Sequence, residues 1–131
     1  MQSDQQKMKP RTRKLPPCAE NNSVLERELK LAHTANIIEA ISARETPEGF
    51  FITITMNAAA TIPKEYQKEG VPEWMYILAQ LVAEPGKLWY LTTRRERNTP
   101  KQFRDLTRLN DYLKRVSPSM DYAVHRGQRM P

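Results

Sequence analysis

The sequence predicts an α+β fold: a small antiparallel sheet packed against a C-terminal amphipathic helix, with a disordered basic N-terminal arm in front. Three observations carry this. In Phe50-Phe-Ile-Thr-Ile-Thr-Met56, Phe50, Ile52, Ile54 and Met56 share one apolar face and Phe51, Thr53 and Thr55 the other, the period of a β-strand. Leu88-Trp-Tyr-Leu-Thr-Thr93 is nearly continuous in apolar and β-branched residues, as expected of a strand in the middle of a sheet. Between Pro100 and Val116 the period changes, and the apolar residues recur three and four apart, the stripe of a helix packed on a core.

In chain order, residues 1–22 hold Gln, Lys, Arg and Pro with little to bury, the composition of a disordered segment. Lys7, Lys9, Arg11, Arg13 and Lys14 make it a basic arm, read either as a solubilising tail or as a source of extra phosphate contacts. Ser23 with Glu26 three residues on has capping-box spacing. Leu25, Leu29 and Ala32 then predict a helix from about 24 to 34. Asn36 to Arg44 fits either an extension of that helix or a strand. The strand is preferred, because its β-branched residues can pair with 50–56 across the turn Pro47-Glu48-Gly49. Residues 57–72, with Pro63, Gly70 and Pro72, read as a connection. Glu73 to Ala83 fits a helix starting near Pro72, and equally a strand leading through Pro85-Gly86 into 88–93. Asp121 to Arg126 reads as a short last strand. The division is a basic arm over 1–22, one α+β domain over 23–126 and a tail over 127–131.

Charge is sorted along this frame. Residues 1–19 carry five Lys/Arg and one acid, residues 20–87 six and ten, residues 88–131 ten and four. Two basic ends flank an acidic middle, and the whole is +6. Such sorting points to a surface that meets polyanions. The negative mean hydropathy and the shortness of the longest apolar run argue against a membrane span. No apolar segment of a secretory signal follows the first basic residues. The single cysteine, Cys18, forms no internal disulfide, which fits a reducing, cytoplasmic setting.

The basic C-terminal unit holds the candidate site. Thr99 as N-cap, Pro100 at the first helical position and Gln102 at capping-box distance predict a helix from 100 to about 116. Phe103, Leu106, Leu109, Leu113 and Val116 form its buried stripe; Arg104, Arg108, Asp111 and Arg115 lie opposite, with Asp111 and Arg115 spaced as an i,i+4 pair. Arg94, Arg95 and Arg97 fall between strand end and helix start, and Lys101 and Arg104 in or beside its first turn. A helix N-terminus is already electropositive and normally attracts acids. Cations there, in the fork geometry of arginine, suit phosphate. Arg94, Arg95, Arg97, Lys101, Arg104 and Arg108 are therefore the candidate nucleic-acid-binding residues. Trp89 and Tyr90, just ahead, are read as core or sheet-surface residues, with base stacking as the alternative.

The stretch Leu88–Val116, with Thr92-Thr-Arg-Arg95, Thr99-Pro-Lys-Gln-Phe103 and Leu106-Thr-Arg-Leu-Asn-Asp-Tyr-Leu113, resembles a segment of small accessory proteins of conjugative plasmids. The resemblance covers about a quarter of the chain and implies a maintenance, partition or transfer-regulating role.

Catalytic signals are weak. His33 and His125 are the two histidines and have no metal-ligand spacing with Cys18. No nucleophile elbow, Walker loop or dinucleotide fingerprint occurs. Glu65, Glu69 and Glu73 read as solvated linker residues, and Glu96, Asp105 and Asp111 form no clear cluster. No enzyme activity, cofactor or metal is expected. The expected function is a small nucleic-acid-associated regulatory or plasmid-maintenance protein, with DNA the preferred partner. The alternative is a protein-interaction module, an adaptor or inhibitor, docking on an acidic surface; the acidic middle of a second copy is one such surface, giving a homo-oligomer.

Overall fold

The computed structural model describes residues 15–57, 70–84 and 86–126. After a 3₁₀ turn at Glu20–Asn22 the elements run β1 (Ser23–Val24), α1 (Glu26–Thr34), β2 (Ile38–Thr46), β3 (Gly49–Met56), α2 (Glu73–Leu81), β4 (Leu88–Leu91), β5 (Gln102–Phe103), α3 (Leu106–Val116) and β6 (Ala123–His125). The fold is α+β, but the sheet is mixed rather than antiparallel. Its order is β1-β4-β3-β2-β6, with β5 also on β3. The β2–β3 hairpin and the β3–β4 pair are antiparallel, whereas β1 on β4 and β6 on β2 are parallel. A tight turn can only reverse a strand; each parallel pair is separated in the chain by helices, α1 and α2 between β1 and β4 and α2 and α3 between β2 and β6, which carry the chain back to the same end. Leu88–Leu91 is thus internal but not central. The centre belongs to β3, both of whose faces are buried from Phe50 to Ile54.

The hairpin forms as expected. Thr46 pairs with Gly49 across Pro47-Glu48, and the Thr46 hydroxyl accepts the Glu48 N–H and donates to the Gly49 carbonyl, each at 3.2 Å. Gly49 has φ +147°, and a Cβ there would overlap the Phe103 carbonyl. Both the turn and the close approach of β5 therefore require glycine.

Helix α1 starts later than predicted. Ser23 does not cap it: Ser23-Val24 pairs with Tyr90-Leu91 as β1. The cap position falls to Leu25, whose N–H donates to Glu28 Oε1 at 2.9 Å. That is the return half of a capping box without a front half. At the other end Ile37 N–H donates to the Ala32 carbonyl and Asn36 N–H to that of His33, with Asn36 at φ +60°. This Schellman arrangement turns the chain into β2. The ambiguous segment 73–83 is a helix over Glu73–Leu81, following Pro72. It buries Leu78 and Leu81 and exposes Trp74 and Tyr76.

The start of α3 is the largest correction. Residues 100–105 are not helical: Lys101 N–H donates to the Leu91 carbonyl at 2.8 Å, and Gln102-Phe103 pairs with Phe51-Phe50 as β5. Three local start signals lose to the open edge of β3, which offers hydrogen bonds and a buried site for Phe103. The cap is Asp105. Leu109, Tyr112, Leu113 and Val116 are buried, while Arg104, Arg108, Asp111 and Arg115 are exposed as expected. Arg115 pairs with Glu26 of α1 at 3.0 Å rather than with Asp111.

Helices α1, α2 and α3 supply side chains to one core, where Leu29, Ala32, Leu78, Leu81, Leu109, Leu113 and Val116 meet Ile41, Ile52, Ile54, Trp89, Leu91 and Phe103 of the sheet. Ahead of Ser23, Cys18 N–H donates to the Asn98 carbonyl at 2.8 Å and Ala19 N–H to Asn22 Oδ1 at 2.8 Å. Lys7, Lys9, Arg11, Arg13 and Lys14, residues 58–69 and the 127–131 tail lie outside the described residues. Among the described residues no helix is long and apolar enough to cross a membrane.

Candidate nucleic-acid interface

Strands β4 and β5 lie end to end along the same edge of β3, β4 opposite Thr53–Thr55 and β5 opposite Phe50–Phe51. The basic segment between them, residues 92–101, is therefore an excursion from a sheet edge rather than a strand-to-helix junction. The hydrogen bond from Lys101 N–H to the Leu91 carbonyl closes its neck. On its outer side Glu96 N–H donates to the Thr93 carbonyl at 3.2 Å and to Thr93 Oγ1 at 3.1 Å. Residues 93–96 thus form a β-turn with Arg94 and Arg95 at its two corners. Glu96 Oε1 accepts the Asn98 N–H at 3.1 Å, which gives that carboxylate a backbone partner inside the loop.

The six predicted cations separate by environment. Arg94, Arg95 and Arg104 are exposed and make no salt bridge among the described residues. Arg97 turns inward: its Nε donates to Ser23 Oγ at 2.7 Å and a terminal nitrogen to the Ser23 carbonyl at 3.2 Å. That fastens the excursion to β1. Lys101 Nζ lies over two aromatic rings, 5.3 Å from Phe103 and 5.8 Å from Tyr112, a placement that tethers the cation. Arg108 is paired with Asp105 at 2.9 Å.

The predicted electropositive helix terminus is modified by that pair. Asp105 Oδ1 accepts the Arg108 N–H at 2.9 Å. This backbone hydrogen bond, and the Arg108 charge behind it, hold the Asp105 carboxyl below its usual range. The α3 terminus already carries its own anion, so Arg104 stands just outside a capped helix and Lys101 is not in its first turn.

What the structure does bring together is a cavity of about 310 Å³ between α1, β4 and α3. Arg94 and Lys101 line it, joined by Arg27, Thr92, Thr93, Leu25, Glu26 and Tyr112. Thr92 is 2% exposed, and its hydroxyl has no hydrogen-bond partner among the described residues. Burial would raise the Glu26 carboxyl, but the hydrogen bond and charge of Arg115, helped by Lys30, outweigh it and hold it low. Burial, and then the Glu26 charge, push the Tyr112 hydroxyl upward, so it stays protonated at neutral pH. A second cavity, of about 280 Å³, lies between α2 and β4. Trp89, its buried Nε1 unpartnered among the described residues, lines it together with Glu20, Glu28, Glu84, Lys87 and Arg97.

Sequence reasoning missed Arg27, Thr92, Thr93 and Tyr112. The parallel pairing of β1 with β4 brings α1 beside the end of β4, and no local pattern announces that pairing. Trp89 is a core residue, and Tyr90 lies half-buried on the opposite face, 6.2 Å from the Phe51 ring. Among the described residues no group of three or more His, Cys, Asp or Glu stands where it could hold a metal ion. No protein-family model, curated protein or solved structure matches the chain, so the fold and the excursion stand as the basis for function.

Proposed function

We propose that this protein binds nucleic acid, DNA before RNA, by contacting phosphates through the Thr93–Glu96 turn, as a non-enzymatic regulatory or maintenance protein. The observation that carries it is the pair Arg94 and Arg95, adjacent, exposed and without salt bridges among the described residues, at the corners of a turn held by hydrogen bonds. Two like charges in such a position repel each other and return nothing to the fold; a phosphate backbone neutralises both. Lys101 stands at the base of the excursion, Arg104 lies apart from it beside Gly49 of the hairpin, and the lysines and arginines of residues 7–14 add long-range attraction. Arg97 and Arg108 serve mainly the excursion and the α3 cap. The plasmid setting rests on the resemblance of residues 88–116.

Salt titration of binding to duplex and single-stranded DNA and to RNA tests the proposal. The logarithm of the affinity should fall linearly with the logarithm of the salt concentration. Arg94→Ala/Arg95→Ala should shrink that slope by about 1–2, roughly one unit for each phosphate that is no longer neutralised. Binding that ignores salt, or ignores the double substitution, refutes it. A discrete complex with an acidic protein or a second copy, and no nucleic-acid binding, would support the docking alternative instead.

A further inference from the structure

We propose that the cavity between α1, β4 and α3 binds the phosphate monoester of a nucleotide, with the Thr92 hydroxyl, Arg27, Arg94 and Lys101 as its partners. The inference rests on the nucleic-acid reading above, since Arg94 serves both, and deepens it by naming a strand end or a free nucleotide as the ligand.

Three features of the wall agree. The first is Thr92, almost wholly buried and with its hydroxyl unpartnered among the described residues. Buried hydroxyls in folded proteins nearly always have partners, and an orphan asks for a ligand or an ion. The second is the start of α1. An apolar N-cap, Leu25, has no oxygen for the first-turn amides, so the Arg27 and Glu28 N–H groups lack the side-chain acceptor that a Ser or Asp would provide. Uncapped amides at a helix start bind oxyanions. The third is charge. Among the described residues three cations and one carboxylate line the cavity, and that carboxylate, Glu26, is already held by Arg115 at 3.0 Å and Lys30 at 3.5 Å. Arg27 also meets Glu73 at 3.5 Å, an exposed pair that a phosphate can displace at little cost. A monoester carries more charge than the diesters inside a strand and gains more from this wall. The volume exceeds the needs of a bare phosphate and reaches the lower range of small-ligand pockets. Leu25 and the Tyr112 ring give the remainder of the ligand apolar contact.

The test uses the full chain and four probes: inorganic phosphate, adenosine 5′-monophosphate, and one DNA oligonucleotide with and without a 5′-phosphate. The phosphorylated oligonucleotide should bind about tenfold tighter than its unphosphorylated twin, and the mononucleotide should compete with it more strongly than inorganic phosphate does. Thr92→Val should abolish the tenfold preference while leaving the affinity and salt slope for the unphosphorylated strand unchanged. Mononucleotide binding without an end preference identifies a free nucleotide as the source and still supports the cavity. Equal affinity for both oligonucleotides with no mononucleotide binding overturns the inference while the phosphate-contacting turn stands. Mononucleotide binding with no strand binding overturns the turn and keeps the cavity. Retention of the preference in Thr92→Val also overturns the inference. Should that variant fail to fold, Arg27→Gln, an exposed helix position, carries the same comparison.

Discussion

Thr92→Val should make the free protein more stable. The residue is 2% exposed and its hydroxyl has no partner among the described residues, so folding strips water from that group and returns nothing. Leaving such a group unsatisfied costs about 1–3 kcal/mol. Valine keeps the β-branched shape and puts a methyl where the hydroxyl was, worth roughly 0.8 kcal/mol as buried apolar surface. Small errors of fit reduce the sum, and a net gain of about 1–2 kcal/mol is expected. Urea unfolding followed by the fluorescence of Trp74 and Trp89 measures it. The midpoint should rise with the slope unchanged, since the area exposed on unfolding is the same. In a domain of this size the melting temperature should rise by about 4 °C or more. A loss of about 0.5 kcal/mol or more would refute the reasoning, because it would mean that the hydroxyl is satisfied in the free protein. The same substitution is expected to weaken phosphate-end binding. Stability and binding moving in opposite directions is the mark of a polar group kept for a ligand.

Three further outcomes follow from the packing. Arg97→Ala removes two hydrogen bonds to Ser23 and should cost about 1.5–3 kcal/mol in urea unfolding, whereas Arg95→Ala should stay within about 0.5 kcal/mol; equal effects would deny Arg97 its anchoring role. Gly49→Ala sets a Cβ against the Phe103 carbonyl at φ +147° and should cost about 3 kcal/mol or more, seen as a lowered thermal midpoint. Burial pushes the Cys18 thiol up to about 11. At pH 8 its thiolate fraction should therefore be roughly a hundredth that of an ordinary cysteine, offset in part by greater nucleophilicity. Iodoacetamide should react about tenfold more slowly than with the urea-unfolded chain, at a rate still climbing above pH 9. A plateau near pH 8.5 would contradict this.

The basic residues of the candidate site were legible in the sequence, but their roles were not. Arg94, Arg95, Arg97, Lys101, Arg104 and Arg108 stand close together in the chain, and charge counting finds them. Counting cannot tell that Arg97 faces Ser23, that Arg108 closes on Asp105, or that Lys101 rests on Phe103 and Tyr112. Each fate depends on a partner set by packing or by the true start of α3. The wall of the cavity was less legible still, because Arg27 and Thr92 are 65 positions apart and meet only through the β1–β4 pairing.

By itself the sequence determined what depends on neighbours within a few residues. It set the alternation of β3, the Pro47-Glu48 hairpin, the amphipathic body of α3 and the sorting of charge. These rest on side-chain period and turn chemistry, which act locally. The tertiary structure alone decided whether 73–83 became helix or strand, that the outer strands pair in parallel, and that residues 100–105 extend along β3 instead of starting a helix. In each case long-range pairing or burial overrode a local preference. At residues 100–105 a helix offered one capping box, whereas the edge of β3 offered backbone partners and a closed site for Phe103. That choice turned an expected helix terminus into an anchored excursion with two arginines at its corners.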